Sequence, residues 1–262
     1  MTETDWVILN GWAMPESVWE EWLPVFEPTG PVRIINMDAA RTLDEWMTYL
    51  EAEIPRPASI IGWSLGGMLA LAFAHKFPAR VVQLALLAST PCFVKKEGWQ
   101  DAQPESMIEN MVRLVSVSSA SLIRRFAMLQ TLGGIGAQSA ARLIERKMQK
   151  AQSLESTAGI YHREVLIAGL ELLSALDLRK AYCQVEVPVL TLLGGADQVV
   201  KVSAQALRAL NSSHSVVTLP GMGHYPFLDF SEETAQACVR FFRSPVELSS
   251  FSNPQSHQRE RG

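Results

Sequence analysis

"ASIIGWSLGGMLALAFAHKF", residues 58–77, sets a serine among glycines at the point where an apolar run passes into an Ala/Leu-rich one. "ASIIGW" is short, apolar and β-branched enough for a buried strand, while "MLALAFAHKF" is built from good helix formers. Gly62-Trp63-Ser64-Leu65-Gly66 between them fits G-x-S-x-G in the strand-then-helix context this motif requires. Small residues two positions either side of the serine let the backbone turn sharply where a Cβ would collide. Such a turn puts Ser64 at a helix N-terminus, where unbonded N–H groups and the helix dipole favour developing negative charge. Ser64 is therefore the candidate nucleophile.

Working outward, short aliphatic runs alternate with helical segments. The strand candidates are 6–10, 32–37, 58–63, 81–89, 187–195 and 215–220. Between them, residues 42–54 start at a Thr N-cap with an acidic first turn, and residues 231–242 close the pattern. This alternation predicts an α/β fold with a mostly parallel central sheet and helices on both faces. From about 95 to 180 the strands lapse, and the segment reads as helical throughout, broken by "GGIG" at 133–136. The expected organisation is a core over 1–95 and 181–245, an inserted helical cap over 96–180, and a polar, aperiodic tail over 246–262 read as disordered.

A serine hydroxyl needs a base to become a nucleophile. Of five histidines, His75 lies in the helix after the motif, His162 in the cap, His214 ahead of a strand and His257 in the tail. His224 alone stands in a Gly-rich loop after the last strand, "PGMGHYPF", from which an imidazole can reach Ser64. For the acid, Asp197 follows the strand ending "LLGG", one strand and 27 residues before His224. Asp177 and Asp229 are rivals, but the first ends a cap helix and the second follows the histidine. Ser64, Asp197 and His224 then fall at the C-terminal ends of strands, where open α/β sheets place ligands.

The composition sets outer bounds. With 262 residues, 48% apolar and 19% charged, the chain suits one soluble globular unit, and a net charge of −4 offers no general footprint for nucleic acid. Cys92, Cys183 and Cys238 are odd in number, far apart and without zinc or redox spacing, so a reduced compartment and no metal are expected. The first residues are acidic rather than basic, and no apolar run approaches the roughly 20 residues a membrane span needs. The expectation is a cytoplasmic protein.

"GWAMPESVW", "GWSLGGMLA", "PARVVQLALLASTPCF", "RRFAMLQTLG" and "GLELLSALDLR", with the Asp197 and His224 loops, resemble the α/β-hydrolase superfamily. Within it they resemble the pimeloyl-[acyl-carrier protein] methyl ester esterases of biotin synthesis. That resemblance implies a serine carboxylesterase with no cofactor, hydrolysing a methyl ester carried on an acyl carrier protein. It implies Ser64 as nucleophile, His224 as base and then acid, Asp197 as its orienting partner, and the backbone N–H groups of Trp12 and Leu65 as the oxyanion hole. It also implies an acyl pocket lined by Trp12, Met14, Trp63 and Phe126. Two departures stand out: Asn10 replaces the histidine many relatives carry before the oxyanion loop, and "MDAARTLDEW" replaces a Gly-rich loop after the second strand.

The cap bears on the partner. Residues 105–165 hold eight basic residues against five acidic ones within an acidic protein. Arg142, Arg146 and Lys150 recur every four residues and share a helical face. An acyl carrier protein is acidic, so a basic cap would steer it. By the resemblance Arg125 and Arg142 match carrier-contacting positions, with Arg124 and Arg146 beside them, whereas Ser121 and Gln138 stand where arginines are expected. The same triad also suits a generalist esterase or a C–C bond hydrolase, and the fold suits a non-enzymatic binder.

Overall fold

The computed structural model describes residues 5–26, 30–117, 119–153, 159–228 and 231–243. Six parallel strands, β1 (Asp5–Leu9), β2 (Val32–Ile35), β3 (Ala58–Trp63), β4 (Val81–Leu87), β5 (Val189–Gly194) and β6 (Ser215–Leu219), form one sheet in the order β2-β1-β3-β4-β5-β6. Each expected strand is present, and β3 has the bounds expected of it. The order reverses at β1, which has β2 on one side and β3 on the other, so a crevice opens beyond the C-terminal ends of β1 and β3.

Helices α1 (Leu23–Phe26), α2 (Leu43–Glu53) and α3 (Leu65–Lys76) lie in the first half of the chain. Thr42 caps α2 as its sequence suggests: its Oγ1 accepts the Glu45 N–H, while the Glu45 carboxylate accepts the Thr42 N–H, a capping box. α3 is buried along its whole length from Leu65 to Ala74. A helix apolar all round belongs inside, and this one runs against β3, β4 and β1.

Between β4 and β5 the chain leaves the sheet for α4 (Glu105–Val117), α5 (Ser119–Thr131), α6 (Ala137–Gln152), α7 (Arg163–Ala175) and α8 (Arg179–Gln184). The "GGIG" break is where α5 and α6 part. The expectation of helix from residue 95 is corrected: residues 88–104 are irregular, tied by single bridges from Cys92 to Asp177, Val94 to Gln103 and Lys96 to Trp99. Pro91, Gly98 at φ 68° and Pro104 interrupt any regular helix there. α9 (Ala204–Leu210) and α10 (Ser231–Arg243) complete the fold. The proposed tail over 246–262, and the rival Asp229, lie outside the described residues. Among the described residues no helix is long and apolar enough to cross a membrane.

Candidate active site

Ser64 is the N-cap of α3 and sits at φ 56°, ψ −120°, a conformation that non-glycine residues avoid at a cost of about 1–3 kcal/mol. Its neighbours explain how the turn closes. A Cβ on Gly62 would lie 2.5 Å from the Gly67 Cα, and one on Gly66 would lie 2.3 Å from the carbonyl oxygens of Leu9 and Asn10. The turn is tied down by the Ser64 N–H donating to the Leu87 carbonyl (3.0 Å) and by the Ser89 hydroxyl donating to the Ser64 carbonyl (2.8 Å).

Beyond β6 a turn returns His224 over the sheet edge, fully buried, with its Nε2 3.0 Å from the Ser64 Oγ and its Nδ1 2.8 Å from the Asp197 Oδ2. Both contacts are satisfied when Nδ1–H donates to the carboxylate and bare Nε2 accepts the serine hydroxyl. The second carboxylate oxygen of Asp197 accepts the N–H groups of Val199 (2.7 Å) and Val200 (2.9 Å), which fixes the group's orientation. The three side chains read from the sequence are thus in one hydrogen-bonded line. Asp177 is elsewhere, paired with Arg179, whose guanidinium holds that carboxyl below its usual range.

The turn after β1 supplies the other wall. Leu65 is the first residue of α3, whose N–H has no partner within the helix. Trp12 lies across from it, and its backbone N–H makes no hydrogen bond among the described residues. Asn10 supports this turn from beneath: its Oδ1 accepts the Gly11 N–H (2.9 Å) and the Trp19 indole N–H (3.1 Å), while its Nδ2 donates to the Met14 carbonyl (2.7 Å). An asparagine at this position therefore has the donors and acceptors to hold the loop. The Trp12 indole N–H donates to the Leu166 carbonyl in α7 (2.9 Å), joining the turn to the helices above.

A narrow cavity of about 30 Å³ opens beside Ser64, between Trp12, Phe93 and side chains of α4, α5 and α7. Of the four expected lining residues, Trp12 and Phe126 face it, packed edge to face 4.7 Å apart. Met14 and Trp63 do not line it; both are buried elsewhere, 1% exposed. The Trp63 indole instead donates to the His224 carbonyl (3.1 Å) and packs on Tyr225 and Phe227, because the alternation of β3 turns it toward the histidine loop. The sequence reading missed Gln130, a buried side chain on the cavity wall whose Oε1 has no hydrogen-bond partner. Its only signal was a glutamine four positions after Phe126, on the same helical face. Arg124, Arg125, Arg142 and Arg146 are all exposed on α5 and α6, and the Ser121 side chain lies outside those described. Among the described residues no group of three or more His, Cys, Asp or Glu side chains could hold a metal ion.

A parallel sheet with a strained serine after its third strand, and with acid and base in the loops beyond the next strands, defines an enzyme class. The chain belongs to the α/β hydrolase family, whose sequence profile matches residues 7–237. It is 32% identical over 247 residues to the pimeloyl-[acyl-carrier protein] methyl ester esterase of Xylella fastidiosa strain M23, covering 90% of this chain and 93% of that one. It is 30% identical over 249 residues to the protein of the same name from Pectobacterium carotovorum subsp. carotovorum strain PC1, covering 91% and 94%. Solved structures agree on the fold: an esterase from Exiguobacterium antarcticum superposes with a TM-score of 0.74 at 16% identity, covering 92% of both chains. A bromoperoxidase from Bacillus anthracis does so at 0.77, also at 16% identity and 92% of both chains.

Proposed function

We propose that this chain is a serine carboxylesterase that hydrolyses the methyl ester of a pimeloyl group carried on an acyl carrier protein, releasing methanol. The observation that carries the hydrolytic part is the line Ser64–His224–Asp197, with both imidazole contacts at hydrogen-bond distance. The substrate is inferred from the names of the relatives and from the basic helices above the site.

Ser64 Oγ attacks the ester carbonyl while His224 Nε2 takes its proton. The oxyanion that forms is met by the Leu65 and Trp12 N–H groups, and Asp197 stabilises the imidazolium through Nδ1. His224 then returns the proton to the departing methoxide, which leaves as methanol. In the second half, His224 takes a proton from water, whose oxygen attacks the acyl-serine, and Ser64 recovers its proton as the acid is released. The protein supplies every group these steps use.

Residues 96–180 act in this reading as a cap, with α4, α5 and α7 closing over the acyl chain. A cavity of about 30 Å³ holds a few waters at most, so an extended chain enters only as α4 or α5 shifts outward. The unpaired Gln130 Oε1 is then a polar acceptor offered along that wall, suited to an N–H or O–H donor of the bound group. Ser64→Ala is expected to abolish hydrolysis of both a p-nitrophenyl ester and the carrier-bound methyl ester while leaving the circular dichroism spectrum unchanged. Normal turnover in the folded variant would refute the triad assignment.

A further inference from the structure

Gln103 is buried, 6% exposed, and has no place in the triad, yet its side chain is bonded to the loop that carries the acid. Its Nε2 donates to two consecutive main-chain carbonyls, those of Gln198 (2.6 Å) and Val199 (2.9 Å). Both partners are acceptors, so they fix which end of the amide faces the loop, and both N–H groups of one nitrogen are used.

The two peptide groups engaged in this way are the same two that hold Asp197. The Gln198 carbonyl shares its peptide with the Val199 N–H, and the Val199 carbonyl shares its own with the Val200 N–H. Those N–H groups donate to the Asp197 Oδ1 at 2.7 and 2.9 Å. A peptide is planar, so a carbonyl held in place aims the N–H on its opposite edge. A carbonyl that accepts a hydrogen bond also makes its N–H a better donor, because linked hydrogen bonds polarise one another. Gln103, two peptides, the Asp197 carboxylate and the His224 Nδ1 thus form one continuous chain of hydrogen bonds.

Gln103 comes from the insertion, not from the sheet that carries the triad. Its N–H donates to the Phe93 carbonyl (3.0 Å), its carbonyl accepts the Lys95 N–H (2.9 Å), and α4 begins two residues later. The core's own bonds to the acid loop run from the Ala196 N–H to the Met222 carbonyl (2.9 Å) and from the Asp197 N–H to the Gly194 carbonyl (3.2 Å). These place the backbone of Ala196 and Asp197, but not the two peptides whose N–H groups grip the carboxylate.

We infer that Gln103 is a positioning residue for the reaction: it orients the peptides that orient Asp197, and so sets the alignment of His224 on Ser64. The inference rests on the triad of the proposed function, and it gives the insertion a part in the chemistry besides covering the acyl chain. Phe93 and Val199 both line the cavity beside Ser64, so the cavity wall and the grip on the acid are joined through one amide.

The test compares Gln103→Met, which keeps the length and bulk of the side chain without a donor, with Gln103→Lys, whose ammonium restores one. Turnover of a p-nitrophenyl ester is measured together with the downfield proton resonance of the His224 Nδ1–H, which reports directly on its bond to Asp197. Gln103→Met is expected to lower kcat about tenfold with KM changed less than about twofold, and to displace or broaden that resonance. Gln103→Lys is expected to recover most of both. Wild-type kcat with an unmoved resonance in Gln103→Met overturns the assignment. So does a loss in folded Gln103→Met that folded Gln103→Lys fails to recover, since bulk rather than the donor would then be at stake. If Gln103→Met does not fold by circular dichroism, Gln103→Lys decides alone: retained kcat and resonance support the donor, and a folded variant without them overturns it. Ser64→Ala separates this inference from the triad beneath it. An inert Ser64→Ala beside a Gln103→Met that behaves as wild type overturns only the part given to Gln103, whereas a folded, active Ser64→Ala overturns both.

Discussion

Trp63 stands one position before the nucleophile, yet its side chain belongs to the base. Its indole N–H donates to the His224 carbonyl, and its ring lies against Tyr225, Phe227 and the backbone of Gly11, where a Cβ would come within 2.8 Å of the ring. One side chain thus spaces the turn after β1, the serine and the histidine loop. Trp63→Phe keeps most of the ring and deletes the donor, leaving the His224 carbonyl buried without that bond. Since the effect is on the placement of the base, kcat should fall several-fold with KM little changed, and the acid limb of the pH–rate profile should move. A profile superimposable on that of the wild type would mean the indole only fills space. Nothing in the local sequence distinguishes this role from a pocket wall. A tryptophan in G-W-S-L-G is compatible with either, and the choice depends on which loop crosses its face.

At the scale of elements, α2 shows how much a cap signal is worth. Thr42 and Glu45 close a reciprocal pair of hydrogen bonds, and the backbone N–H groups of Arg41 and Thr42 hold the Glu45 carboxyl below its ordinary value. A lowered carboxyl stabilises the folded state above its unfolded value, and that contribution is lost as pH falls through the folded one. Thr42→Ala is expected to cost about 1 kcal/mol in urea unfolding at neutral pH, with no change in kcat, because α2 packs on the buried α3 from outside. A loss of activity without a loss of stability would count against this. α5 and α6 were legible as helices from their formers and from the glycines between them. Residues 88–104 were not, since the Cys92–Asp177 bridge is a tertiary contact and the Val94–Gln103 and Lys96–Trp99 bridges within the segment follow no local period.

For the whole molecule, His214 links stability to pH. It is buried beside Tyr182, its Nε2–H donates to the Val185 carbonyl, and its Nδ1 has no partner. Burial holds the imidazole below its ordinary 6.5, so the unfolded chain takes up a proton before the folded one does. Stability from this group is full above pH 6.5 and is lost as pH falls from there toward the folded value. His214→Gln should therefore melt lower at neutral pH but lose less stability than the wild type between about pH 7 and pH 5, read as Tm against pH. Parallel curves would exclude His214 as the source. Strand positions and the identities of serine, acid and base were open to reading because they rest on local features: periods of two and 3.6, and turn residues at strand ends. Their meeting depends on the sheet, whose parallel order β3-β4-β5-β6 brings the C-terminal ends of β3, β5 and β6 to the same end of the sheet while they stand far apart in the chain. Sequence alone determined an α/β hydrolase with Ser64, Asp197 and His224 in loops at the C-terminal ends of strands. Only the tertiary structure decided that Trp63 bonds to the His224 loop, that Asn10 holds the turn after β1, and that Gln130 lines the cavity while Met14 does not. The reason is that each of these depends on which distant backbone a side chain meets, and such contacts are made by packing rather than by neighbours along the chain.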